Sequence, residues 1–413
     1  MTTRLAARMQ MVRPSPSMAA KLRVDALRAQ GRQIVDFTIG EPDFPTPSHI
    51  VAAGIDALKR GDTRYTSSAG TPALRNAIAA KLARENGLDY RPEQIVVGCG
   101  AKQIIYSALA ATVGVGDEVI VPAPYWVSYP DMVALQEATP VIVSCNTSQS
   151  FKLTPEDLES AITPRTRWLI LNTPGNPTGA VYARAELDAI CAVLRRHPQV
   201  WLLTDEIYEH FVYGNVRHIS PLALAPDLAD RALVVNGMSK AYAMTGWRIG
   251  YGAGPSALIQ AINVLLTQST SCAAAMSQAA AVTALDGPQE CVTQAVRSFA
   301  QRRDRIVELL NQVPGVECAR PDGAFYVFPS VAGLVGTHTP TGQKLATDID
   351  VMMYFLDAAG VATIDGTSYG MPGHLRFSFA TSLEQIDAGC AAIARVVASL
   401  TPQPTSYKET LHA

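Results

Sequence analysis

Lys240 and Arg248 stand eight residues apart in the stretch GMSKAYAMTGWRIG, Gly237 to Gly250. A lysine amine attacks a carbonyl carbon only as the free base, so imine chemistry asks for a sheltered site that lowers its pKa. Ser239, Ala241 and Ala243 are small and leave room for a ligand to lie close to the backbone. Arg248 supplies the complementary group, because a planar guanidinium donates two parallel hydrogen bonds to phosphate oxygens. An isolated lysine or arginine reads as an ordinary solvated cation. Here the flanking pattern argues for a phosphate-bearing carbonyl ligand instead.

Four other stretches carry residues of chemical interest, and each follows an apolar run. WLLTDEIYEH sets Asp205 at the end of such a run, with Glu206 beside it and Tyr208 three residues on. Alone, an aspartate there reads as a helix N-cap. LNTPGNPTGA, Leu171 to Ala180, reads by itself as a turn built on Pro174, Pro177 and Gly179 around Asn176. GCGAKQII opens a helix at Gly98 and Gly100, and the unpaired amides at such a terminus, those of Ala101 and Lys102, form an anion site. A lysine side chain at the positive end of a helix dipole is disfavoured by some tenths to about 1 kcal/mol, a conflict that a bound anion removes and that a swing into water also relieves. In VPAPYWVSYP, Tyr125 and Trp126 follow a further strand; core packing is the plain alternative for such a tryptophan.

In order and approximate spacing these stretches resemble the class I aminotransferases, pyridoxal 5'-phosphate (PLP) enzymes of fold type I. The resemblance runs from about Pro14 to about Val397, and Gly237 to Gly250 is similar to the family's lysine-attachment signature. It implies that Lys240 is the catalytic lysine, that Asp205 pairs with the pyridine nitrogen, and that Asn176 and Tyr208 reach the ring oxygen. It gives the phosphate to Gly100, Ala101, Lys102, Ser239 and Arg248, and the ring face to Trp126. Tyr65, in RYTSSAGTPALR, resembles a tyrosine that crosses from a neighbouring subunit to the phosphate, which implies a homodimer with shared active sites; the same reasoning touches Ser269 and Thr270. For substrate, Arg376 in HLRFSFATS matches an arginine that holds the α-carboxylate bidentately, and Gly40 in GEPDF a glycine whose backbone lies against it. Trp126 and Asn176 line the same place, and Lys102 matches a contact to the distal carboxylate of acidic substrates. No metal is implied.

The implied reaction is a ping-pong transfer of the amino group of an L-amino acid, aspartate or another acidic or broad substrate, to a 2-oxo acid such as 2-oxoglutarate. An aromatic, prephenate-type or specialised biosynthetic aminotransferase is the nearest alternative. A PLP lyase that eliminates a β- or γ-substituent uses the same fold and lysine, and a PLP-binding regulatory module acting on DNA would need an appended helix-turn-helix or basic arm that the chain lacks. Two departures bear on the pocket: Asp365 in IDGTSYGMPG, Ile364 to Gly373, where many relatives have proline, and the additional Pro16 in RPSPS, Arg13 to Ser17.

These residues must be held by an α/β scaffold. Short β-rich runs alternate with helical segments, which predicts a largely parallel sheet of the seven-stranded type flanked by helices. Expected strands are 94–97, 118–121, 168–171, 200–204, 233–236 and 249–253. Ligands of open α/β sheets bind beyond the carboxyl ends of the strands, where the motifs fall. After about Gly287 the texture changes to a long charged helix ending near Gln312, strands at 324–328 and 375–379, and an amphipathic helix over 383–399. The expected division is a large PLP-binding domain, 46–287, and a smaller α+β domain made of 1–45 and 288–413. The tail from Pro402 has no apolar period and is expected to fray.

Composition bounds the rest. The chain has 413 residues, 48% apolar and 17% charged, with a formal net charge of -2, which fits a soluble two-lobed protein and gives no electrostatic case for nucleic acid or an anionic membrane. Seven scattered cysteines, an odd number without C-x-x-C spacing, suggest neither a disulfide framework nor a zinc site. The basic start lacks the apolar core of a secretory signal and no transmembrane run is expected, so a cytoplasmic location is the default.

Overall fold

The computed structural model describes residues 5–12 and 16–401. Arg13–Ser15 of the RPSPS stretch and the tail from Pro402 lie outside the described residues. The chain forms two compact units. The larger holds Gly40–Gln301, Pro321–Tyr326 and the described part of Met1–Ser15; the smaller holds Pro16–Ile39, Arg302–Arg320 and the described part of Val327–Ala413. The division falls inside a helix, Glu290–Leu310.

Seven strands make the sheet of the larger unit: β1 (Ile95–Gly98), β2 (Glu118–Ala123), β3 (Thr139–Ser144), β4 (Thr166–Asn172), β5 (Trp201–Asp205), β6 (Ala232–Gly237) and β7 (Gly250–Ala253). Their order is β1-β7-β6-β5-β4-β2-β3. Five run parallel from β6 to β3, while β7 is antiparallel to both of its neighbours. Parallel strands covered on both faces read as near-continuous apolar runs, as in WLILN and ALVVN. Successive residues point to opposite faces, so Leu169, Leu171, Leu202 and Val234 fill one core layer while Trp168, Ile170, Leu203 and Val235 fill the other.

Helices close both layers. We label the ones that matter here α1 (Pro72–Lys81), α2 (Ala101–Thr112), α3 (Ser128–Ala134), α4 (Arg184–Arg196) and α5 (Ser256–Ser269). On one side α1 buries Leu74 and Ile78, and α4 buries Leu187, Ile190 and Leu194. On the other α2 buries Ile104, Ile105 and Leu109, α3 Tyr129 and Met132, and α5 Leu258, Ile262 and Leu266. These i, i+3, i+4 spacings are those of helices with one apolar stripe.

The smaller unit contains a parallel pair, Val35–Asp36 with Val361–Ala362, and an antiparallel pair, Ile364–Asp365 with Leu375–Ser378. Its last helix, Leu383–Val397, is capped by Ser382, which accepts from the Gln385 amide. The expected strand at 324–328 shortens to Tyr326–Val327. Asp365, singled out as a departure, is buried and accepts from the Ser368 amide at 2.7 Å and the Ser368 hydroxyl at 3.0 Å, so it closes the turn that follows it.

Candidate active site

Three parallel strands deliver the central residues. Asn172 ends β4, Asp205 ends β5 and the two are paired in register, while Asp205 also pairs with Val235 of β6. Asn176 lies four residues past the end of β4 and Lys240 three past the end of β6, so all emerge at one edge of the sheet. The Asn172 amide donates to the Asp205 carbonyl at 2.9 Å and its side-chain oxygen accepts from the Asn176 backbone at 2.9 Å, which ties the turn carrying Asn176 to β5.

Lys240 donates from Nζ to the Gly40 carbonyl oxygen. Its ammonium lies 5.8 Å from the ring centres of both Tyr208 and Phe325. The Tyr208 and Tyr326 hydroxyls are 2.9 Å apart, and a Cβ added at Gly40 would come to 3.4 Å from the Tyr326 oxygen. Lys240, Gly40 and Tyr208, named separately from sequence, are thus brought together, and Tyr326 joins them. Sequence reasoning missed Tyr326, whose only signal is its place in GAFYVF, 118 residues from Tyr208.

Asp205 is buried and makes no ion pair among the described residues. Burial raises its pKa to about 6, against the lowering effect of hydrogen bonds from the Tyr129 hydroxyl and the Ile207 amide. A buried carboxylate held this way is a receptor for a cation. Glu206, the rival acid, points elsewhere: it is fully buried and accepts from Thr204, Ser220 and His218 at 3.0, 2.7 and 2.9 Å.

The residues expected at the phosphate gather where α2 meets β7. Gly100, at φ 89°, precedes α2 with no side-chain cap, leaving its first amides open. Arg248, in the left-handed region at φ 56°, donates to the Thr245 carbonyl at 2.9 Å and the Cys99 carbonyl at 3.1 Å. A side chain at Gly100 would overlap that guanidinium, so glycine there allows arginine and helix terminus to share one place. Ser239 is buried and its carbonyl accepts from the Met244 amide at 3.2 Å. Thr270 accepts from Gln103 of α2 at 2.8 Å, and Gln103 accepts from the Cys99 amide at 2.6 Å, while the Ser269 hydroxyl turns back to the Leu265 carbonyl. The Lys102 ammonium lies 4.7 Å from the centre of the Trp126 ring, and its pKa is lowered first by desolvation and then by Arg248.

Tyr65 and Arg376 are the remaining expected residues. Tyr65 is 88% exposed on this single chain. Arg376 belongs to the smaller unit, where it is buried, donates to the Thr38 carbonyl at 2.7 Å and lies 5.4 Å from the Tyr369 ring centre. Among the described residues no helix is long and apolar enough to cross a membrane.

Residues 32–393 match the family model for aminotransferases of class I and II. The chain is 49% identical over 391 residues to a probable aspartate/prephenate aminotransferase of Rhizobium leguminosarum bv. phaseoli, covering 95% of this chain and 98% of the relative. Over 390 residues it is also 49% identical to an aspartate/prephenate aminotransferase of Cereibacter sphaeroides, covering 94% and 98%. Among solved structures, an aspartate aminotransferase of Rhizobium meliloti superposes with a TM-score of 0.94 at 46% identity, covering 96% of this chain and all of that one. The Thermus thermophilus aspartate aminotransferase with maleate superposes at 0.89 and 40% identity, with coverage of 96% and 100%. The mixed seven-stranded sheet with its helices is therefore that of fold type I, and the chain belongs to the class I and II aminotransferase family.

Proposed function

We propose that this aminotransferase uses PLP to move the amino group of an acidic L-amino acid, aspartate first, to a 2-oxo acid such as 2-oxoglutarate. The single observation that carries the cofactor reading is the match between the polar edges of PLP and the residues at the sheet edge. A buried carboxylate without an ion pair among the described residues, Asp205, suits a protonated ring nitrogen. The open amides of α2 with Arg248 suit a phosphate, and Tyr208 and Asn176 offer donors for the ring oxygen. When bound, PLP supplies an electrophilic carbon and a ring that withdraws electrons from the substrate α-carbon.

In this reading the chain's own residues divide the work. Lys240 would hold the cofactor's carbonyl carbon, and its amine would move the proton at the substrate α-carbon. Asp205 keeps a positive charge on the ring nitrogen. Trp126 covers a ring face, and Arg376 with the Gly40 backbone orients the substrate α-carboxylate. Lys102, with its lowered pKa and its seat on Trp126, is the group for a second carboxylate. The maleate in the Thermus thermophilus neighbour, a four-carbon dicarboxylate, supports an acidic substrate. We assign Tyr65 to the site of a second copy, which accounts for an aromatic ring that is 88% exposed on one chain. The enzyme is then a homodimer with shared sites, working in the cytoplasm.

A second reading, prephenate as an acceptor, is favoured by the names of the two bacterial relatives at 49% identity. A stopped-flow panel following the visible absorbance of the bound cofactor tests both. Aspartate and glutamate are expected to bleach it rapidly, and 2-oxoglutarate and prephenate are then offered as acceptors to restore it. Rapid bleaching by aromatic or branched amino acids with none by aspartate or glutamate would overturn the acidic assignment.

A further inference from the structure

Asp205 is held at both oxygens. Its Oδ1 accepts from the Ile207 amide at 3.2 Å, a local turn set by the chain itself, while Oδ2 accepts from the Tyr129 hydroxyl at 2.6 Å. The two contacts fix the plane of the carboxylate and leave each oxygen a further lone pair. Tyr129 comes from α3, 76 residues away, and nothing in the proposed chemistry uses it. It is also well placed to act only as a donor. Burial first, and then the neighbouring Asp205 charge, raise its pKa well above the ordinary phenol value, so the proton stays on the tyrosine. Its ring is locked in turn by Trp126, edge-on at 5.3 Å and 88°, and Trp126 carries the Lys102 ammonium on its face.

We propose that Tyr129 is the positioning residue of this site, holding the Asp205 carboxylate in one orientation and in its ionised form for the cofactor's ring nitrogen. The inference rests on the PLP reading given above. Its physical basis is a competition at one buried acid. Desolvation favours the neutral carboxyl, which cannot stabilise a cation, and the short hydrogen bond from Tyr129 opposes it, with the Ile207 amide and the Lys240 charge acting in the same sense and the Glu206 charge against. A hydrogen bond to a charged group contributes more than one between neutral partners, so its loss is measurable.

The test is the affinity of the apoprotein for two probes, PLP and the analogue in which carbon replaces the ring nitrogen, by equilibrium dialysis across pH. Four proteins are compared: the natural chain, Tyr129→Phe, Asp205→Asn and the double variant. Phenylalanine keeps the ring against Trp126, and the Tyr129 hydroxyl has Asp205 as its side-chain partner, so packing is preserved. The preference of the natural chain for PLP over the carbon analogue is expected to fall about tenfold in Tyr129→Phe, and the pH below which that preference is lost should move upward. In the Asp205→Asn background the same change should leave the preference unaltered. Equal weakening of both probes by Tyr129→Phe, or an unchanged preference, would show a space-filling tyrosine and overturn the proposal. A natural chain with no preference for PLP would instead overturn the assignment of Asp205 itself, and this proposal with it.

Discussion

At Asp205 burial works against charge, and the conflict has a cost that the apoprotein bears alone. With a folded-state pKa of about 6 against an ordinary 3.8, this acid binds its proton more tightly in the folded chain than in the unfolded one. Its favourable share of stability is fully present below the unfolded value and is lost as pH rises through about 6. Above that, ionising it costs the fold on the order of 3 kcal/mol. Asp205→Asn, which removes the titration while keeping an oxygen for Tyr129, is therefore expected to stabilise the apoprotein by a few kcal/mol at pH 8. The gain should fade as pH drops from about 6 towards 4. Urea unfolding of the two apoproteins at a series of pH values checks it; a destabilised variant at pH 8 would mean that the carboxylate is not strained by its burial.

Among the elements, the contact between β7 and the start of α2 is the one on which the proposed phosphate site depends. Gly250 pairs with Gly98 of β1 on one side and Gly237 of β6 on the other, a row of glycines across three strands. A Cβ on Gly250 would overlap the backbone of Gly100 and Ala101, where neither neighbour can move aside as a flexible side chain could. Gly250→Ala is expected to destabilise the protein by about 1–3 kcal/mol. It should also weaken PLP more than pyridoxal, which lacks the phosphate. Gly246→Ala, where an added Cβ meets nothing within 4 Å, is the control expected to change neither. Thermal unfolding together with the two affinities separates the outcomes, and equal loss for both ligands would disconnect this contact from the phosphate.

For the whole molecule, stability near neutral pH depends on a buried network that includes Glu206, the neighbour of Asp205. Glu206 is paired with His218, and Glu209 with Lys81, Asn236 and Asn86. Two buried carboxylates are thus balanced by one lysine and, when protonated, one histidine. Burial opposes the charge on His218, but Glu206 and then Glu209 outweigh it, and the pKa is raised above 6.5. The stabilisation from His218 is fully present below 6.5 and lost as pH rises through the raised folded value. The apoprotein should therefore lose stability over that interval, a slope that His218→Gln abolishes. Unfolding midpoints measured from pH 6 upward test this, and equal slopes in both proteins would assign the dependence to other groups.

How much of this was legible follows from where the signals lie along the chain. Lys240, Arg248, Asp205 and Asn176 sit in short contiguous stretches at the ends of apolar strands, so turn residues, spacing and the family resemblance were enough to single them out. Six of the seven strands were expected within a residue or two. The seventh, β3, was not: it is an edge strand whose apolar run is only three residues, Val141 to Val143, between Pro140 and Ser144. Tyr129 escaped for a different reason. Its partner is 76 residues away, and a tyrosine one turn beyond Trp126 looks like any buried aromatic until β2 and β5 bring α3 against Asp205.

The order of strands and motifs along the chain and the class of chemistry were determined by the sequence itself, since the first depends on local spacing and the second on residue types that match a known family. What holds the Asp205 carboxylate in place, what occupies Glu206, and how Gly100, Gly250 and Arg248 share one small volume were decided only by tertiary structure. Those outcomes depend on through-space distances between residues remote in the chain, and on the balance of desolvation against hydrogen bonding that only a packed interior creates.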